Sequence, residues 1–89
     1  MNKRWIVFQL RGALGGIELA LRSIEEVEDY DEDRLIVDMY HIYHHLNTAW
    51  NSRNVDGDSP ADCSADEFYA RQQFPSDLSM ARDGLSSDI

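Results

Sequence analysis

Three histidines fall within five residues, at 41, 44 and 45, close to several carboxylates. Asp38, His41 and His45 stand at i, i+3 and i+7, so a helix would turn all three the same way. A carboxylate and two imidazoles on one helix face are the ligand types that hold transition metals in helical di-metal bundles. Such sites draw further ligands from facing helices, and upstream only Glu18 stands at a suitable height. Arg34, Thr48 and Ser52 share the strip, which therefore reads as a solvated face, and no metal or other cofactor is expected. His44 belongs to a different strip, with Tyr40, Asn47 and Asn51. Side chains that offer both contact area and a hydrogen bond are common on recognition surfaces. They equally suit a place where a third helix packs. With the flanking Tyr43 and Trp50, they make Tyr40, Tyr43, His44, Asn47 and Trp50 the candidate partner-binding set. Histidines at such a contact would make it pH-dependent between roughly pH 5 and 8.

Every residue from 25 to 33 is acidic except Val27 and Tyr30, giving the cluster Glu25, Glu26, Glu28, Asp29, Asp31, Glu32 and Asp33. Its alternation Asp29, Asp31, Asp33 imitates the start of a calcium loop. Arg34 occupies the place of the required glycine, and Tyr40 that of the closing glutamate. The series Asn54, Asp56, Asp58 fails likewise, with Ser59 and Ala65 at those two places. Cys63 stands between Asp62 and Ser64 with no histidine nearby in sequence. Adjacent negative charge raises a thiol's pKa, the wrong direction for an activated nucleophile. Nucleophile elbow, phosphate loop and dinucleotide fingerprint are all missing. Catalysis is not expected.

Composition narrows the class further. With 89 residues the chain makes one small domain, and a hydrophobic fraction of 43% is ordinary for a folded protein. A core of that size supplies roughly 3–5 kcal/mol unless a metal, disulfide or second chain helps. The single cysteine excludes an intrachain disulfide and suits the cytoplasm. The opening Met1 to Leu10 loosely imitates a secretory signal, but Arg11 ends the apolar run, so neither export nor a membrane span is expected. A net charge of −9 opposes direct nucleic-acid binding. It allows a basic protein partner, and as an alternative function the acidic cluster would imitate nucleic acid to block a basic nucleic-acid-binding protein.

The elements that must position these residues follow from periodicity. Ile6, Leu10, Ala13, Ile17, Ala20, Ile24 and Val27 step by four and three, the seam of a packed helix, with Val7, Leu14 and Leu21 beside it. Gly12, Gly16 and Ala20 form a smooth strip on that helix, although the glycines equally suit a break near Ala13. Continued past Val27, the seam meets only polar residues, and a new one begins at Leu35, Met39, Ile42, Leu46 and Ala49. That slip in phase, among mutually repelling acids, places a turn near Asp29 to Asp31 and a second helix over 33–52. Asn54 to Ser59 is loop-like, Pro60 suits a helix start, and Ser64 with Glu67 forms a capping box for a short helix over 64–73. Phe68 and Phe74 are expected to cover one end of the hairpin. The expected fold is all-α, an antiparallel helical hairpin plus a short third helix over residues 1–74, with a loosely ordered tail over 75–89. The second helix is apolar or aromatic around more than half its circumference, more than one hairpin covers. Self-pairing into a four-helix bundle is the expected remedy, and the function expected is a homodimeric protein-interaction module.

Overall fold

A computed structural model describes residues 1–56 and 63–78. Its elements are α1 (Lys3–Glu26), α2 (Glu32–Asn51) and α3 (Ala65–Gln72), and no strand occurs among the described residues. No helix there is long and apolar enough to cross a membrane. The loop beyond Asp56, the helix start at Pro60 and the tail beyond Leu78 lie outside the described residues.

Helix α1 runs unbroken through its three glycines. Asn2 caps it, the side-chain oxygen accepting from the Trp5 amide at 3.1 Å. The same residue binds the far end of the chain: its amide donates to the Arg53 carbonyl at 2.6 Å, and its side-chain nitrogen to the Val55 carbonyl at 2.9 Å. The start of α1 thus meets the exit of α2, and the two helices run antiparallel. Val27 caps the other end, and α2 begins where the Asp31 side chain accepts from the Arg34 amide at 3.0 Å. Asp31, Glu32 and Asp33 therefore stand at the positive end of α2, where they are favourable, whereas Glu25 and Glu26 lie at the negative end of α1.

The Tyr30 hydroxyl donates to Asp38 at 2.6 Å, fastening the turn to the second helix. That bond, with some loss of solvation and the nearby carboxylate charge, pushes the phenol up to about 12 from its ordinary 10.0. Because the folded protein holds this proton more tightly than the unfolded chain, the stabilisation is complete below about pH 10 and is lost as pH climbs towards 12. An absorbance titration should show a phenol ionising near pH 12, which Asp38→Ala returns to the ordinary range. A titration curve that Asp38→Ala leaves unchanged would contradict the bond.

The helices touch along a line displaced from the expected seams. Buried apolar side chains among the described residues are Ala13, Ala20, Ile42 and Ala49, joined by polar Gln9, Thr48 and Ser52. Leu10, Ile17 and Ile24, expected at the seam, are 46%, 39% and 49% exposed. Leu35 and Leu46 of α2 are also over a third exposed. The small residues decide this. Gly12, Ala13, Gly16 and Ala20 let the second helix approach the α1 backbone itself, where dispersion contacts are dense. Leucine in that line would hold the helices apart.

Ser52 and Trp5 satisfy each other in the contact. Ser52, 1% exposed, accepts a 2.7 Å bond from the Trp5 indole and donates to the Thr48 carbonyl. The strip expected to be solvated is therefore buried at its Thr48 and Ser52 end, while Arg34 and His41 remain exposed. Its polar residues are those that can bond within a helix or across to its neighbour.

Helix α3 begins as its capping box requires, with the Glu67 amide donating to Ser64 Oγ at 3.2 Å. It lies on the back of α2. Asn47 donates to the Gln72 carbonyl at 3.0 Å, and Asn51 to those of Arg71 at 2.8 Å and Gln73 at 2.7 Å. Phe74 meets Tyr43 edge-on at 5.2 Å but leaves much of its ring in solvent. Asp77 accepts from the Trp50 indole at 2.9 Å, a bond that holds its carboxyl below the usual range, aided by Arg53. The start of the expected loose tail is thereby tied to α2.

Candidate functional site

The histidines gather where α2 crosses the glycine strip. A β-carbon added to Gly12 would lie 2.6 Å from the His45 ring, and one added to Gly16 would lie 2.7 Å from the His41 ring. These are distances that real side chains do not reach. Each missing methyl group therefore leaves the space in which an imidazole sits. One turn of α2 separates the two rings, and one turn of α1 separates the two glycines.

Gln9, also on α1 and 5% exposed, holds His45 from below. Its side-chain oxygen lies 2.8 Å from His45 Nδ1. An amide oxygen only accepts, so Nδ1 carries the proton and Nε2 keeps its lone pair. His44 completes the group from the other side. Its ring centre lies 4.1 Å from that of His45, and His41 approaches His45 edge-on at 4.8 Å. One ring nitrogen from each of His41, His44 and His45 lies within 4.8 Å of the others.

Burial lowers the pKa of both His44 and His45, and the neighbouring imidazoles lower it further. The neutral form favoured in this way has an available lone pair. Nδ1 of His44 is buried without a hydrogen-bond partner. Beside it lies a cavity of about 40 Å³ lined by Trp5, Gln9, His44, Thr48, Cys63, Phe68 and Arg71.

The structure regroups the residues singled out from the sequence. His41 and His45 do come together, but the third member is His44, because Asp38 is engaged by Tyr30. Glu18 is exposed and stands outside the group. Of the candidate partner-binding set, Asn47 holds α3, Tyr43 meets Phe74 and Trp50 bonds Asp77, while Tyr40 is 68% exposed. The acidic cluster is spread along the exposed bend: Asp31 caps α2, Asp29 approaches Arg34 at 4.0 Å, and Asp29, Asp31 and Asp33 form no convergent carboxylate group.

Gln9 was missed in the sequence because it stands inside an apolar run as an apparent surface residue. His44 was assigned to the neighbouring strip, although spacings of three and four around His41 allow it on either. Cys63 has no histidine near it in sequence, yet it shares a cavity with His44. Compared with models of known protein families, with curated proteins and with solved structures, the chain matches none, so its functional reading rests on these residues.

Proposed function

We propose that this chain is a small helical interaction module that pairs with a second copy of itself through one apolar face of the hairpin. The observation that carries this reading is the row Leu10, Leu14, Ile17, Leu21 and Ile24 on α1, every member of which is 39–53% exposed. With 3.6 residues per turn these side chains form one stripe, and no charged residue falls within its arc between Ile6 and Ile24. In an antiparallel hairpin the flank of α2 on the same side carries Leu35, Met39 and Leu46, with Tyr43 and Trp50 at its border. Monomeric proteins rarely leave so broad an apolar patch in water.

A stripe that is apolar along about four turns and continues across two antiparallel helices is self-complementary under a two-fold axis. Two hairpins laid face to face make a four-helix bundle, and two-fold dimers are the commonest assemblies. The contact would enlarge the apolar core that Ala13, Ala20, Ile42 and Ala49 supply among the described residues.

Light scattering across a wide concentration range should report a particle of twice the 10.3 kDa chain mass. Leu14→Glu combined with Leu21→Glu should return the mass to that of one chain while helical circular dichroism persists, because neither side chain is in the hairpin contact. A wild-type protein of 10.3 kDa at every concentration overturns the pairing.

A further inference from the structure

We infer that His41, His44 and His45 form a binding site for a divalent transition-metal ion, zinc first among them, seated over the glycine strip of α1. His41 and His45 stand one helical turn apart, the spacing by which two imidazoles on one helix grip a single zinc ion. His44 supplies a third nitrogen, and all three ligand nitrogens already lie within 4.8 Å of one another. Tetrahedral zinc with bonds of 2.0–2.1 Å needs nitrogens about 3.3 Å apart. His41 is exposed and stands at the rim, so it is the ring placed to swing inward and the side from which an ion enters.

Three further observations fit a ligand role. Gln9 accepts the Nδ1 proton of His45 at 2.8 Å, the outer contact that fixes a metal-binding imidazole's orientation and leaves Nε2 to coordinate. The buried Nδ1 of His44 lacks a partner, a cost that only a polar or ionic neighbour would remove. The space for the rings exists because Gly12 and Gly16 lack side chains, so the smooth strip and the histidines are complementary halves of one site. Three imidazoles without a carboxylate or thiolate suit zinc, copper or nickel and exclude calcium or magnesium. The fourth position would be open to water, as at zinc sites with three protein ligands.

The test is calorimetric titration of the full chain with zinc chloride alone, with cobalt(II) as spectroscopic probe. One ion should bind per chain, and the cobalt form should show the intense visible bands of four-coordinate nitrogen ligation. His41→Ala, at an exposed position, should weaken binding at least tenfold without loss of helicity, and His45→Ala should do the same. A chain carrying Asp29→Asn, Asp31→Asn and Asp33→Asn should bind as the wild type does. Equal affinity in wild type and His41→Ala, loss of binding in the triple acid variant, or no binding at micromolar zinc would each overturn the site.

Discussion

Gly12→Ala lowers the thermal midpoint by roughly 8–16 °C, while Gly15→Ala, three residues along the same helix, raises it by about 4–8 °C. On helix propensity alone the two changes are identical, each favourable by about 0.8–1 kcal/mol. They differ in what the new methyl group meets. At Gly15 nothing lies within 4 Å, so the propensity gain stands alone. At Gly12 the methyl group arrives 2.6 Å from the His45 ring, which Gln9 holds in place. Overpacking of that kind costs about 1–3 kcal/mol, and displacing the ring adds about 1 kcal/mol for the lost hydrogen bond. The net destabilisation is about 2 kcal/mol, and about 1 kcal/mol moves the midpoint of so small a domain by 4–8 °C. Gly16→Ala should lower the midpoint less than Gly12→Ala, since His41 is exposed and can yield, leaving the buried Ile42 side chain at 3.2 Å as the obstacle. Thermal unfolding followed by circular dichroism decides the matter, and a Gly12→Ala protein at or above the wild-type midpoint would mean that the helices do not cross at this strip.

That contrast also shows what the sequence could and could not convey. Helix existence and the turn were legible because apolar spacing, the slip in phase after Val27 and the Ser64 capping box are local signals. The lateral angle at which α1 meets α2 was not. Leucine and isoleucine define a stronger periodic row than glycine and alanine, so the eye of a pattern search settles on Leu10 and Ile17. Packing prefers the smoother row when it allows the backbones to close. The displaced contact line then changes the meaning of α2. His45 turns towards α1 with His41 at its rim, Thr48 and Ser52 become buried, and the row Leu10, Leu14 and Leu21 of α1 is left on the same side as Leu35 and Leu46 of α2. The same displacement explains why three histidines on two notional strips converge, since the contact edge of α2 runs between them. Gln9 illustrates the remaining gap: a glutamine in an apolar run is legible as a positioning residue only once its partner across the helix contact is known.

Asn47→Ala combined with Asn51→Ala should release α3 from the hairpin without unfolding the hairpin itself. An eight-residue helix is marginal in water on its own, and its last carbonyls have no partners within the helix. Here they receive the side-chain amides of α2, Asn47 on Gln72 and Asn51 on both Arg71 and Gln73. The two asparagines thus cap α3 from outside, one turn apart on α2. Each bond contributes about 1 kcal/mol, so losing all three removes roughly 3 kcal/mol of local stability. Since about 1.4 kcal/mol corresponds to a tenfold change, amide exchange over 68–73 should accelerate at least a hundredfold. Amides around Ala13 and Ile42 should keep their protection, because the contact between α1 and α2 uses neither asparagine. Tyr40→Ala, on the same helix but 68% exposed, should leave α3 unchanged and so separates the effect of the amides from that of any truncation on this face. Unaltered exchange in the double variant would show that α3 is held by its apolar contacts. Equal loss in α3 and the hairpin would show that the three helices unfold as one unit.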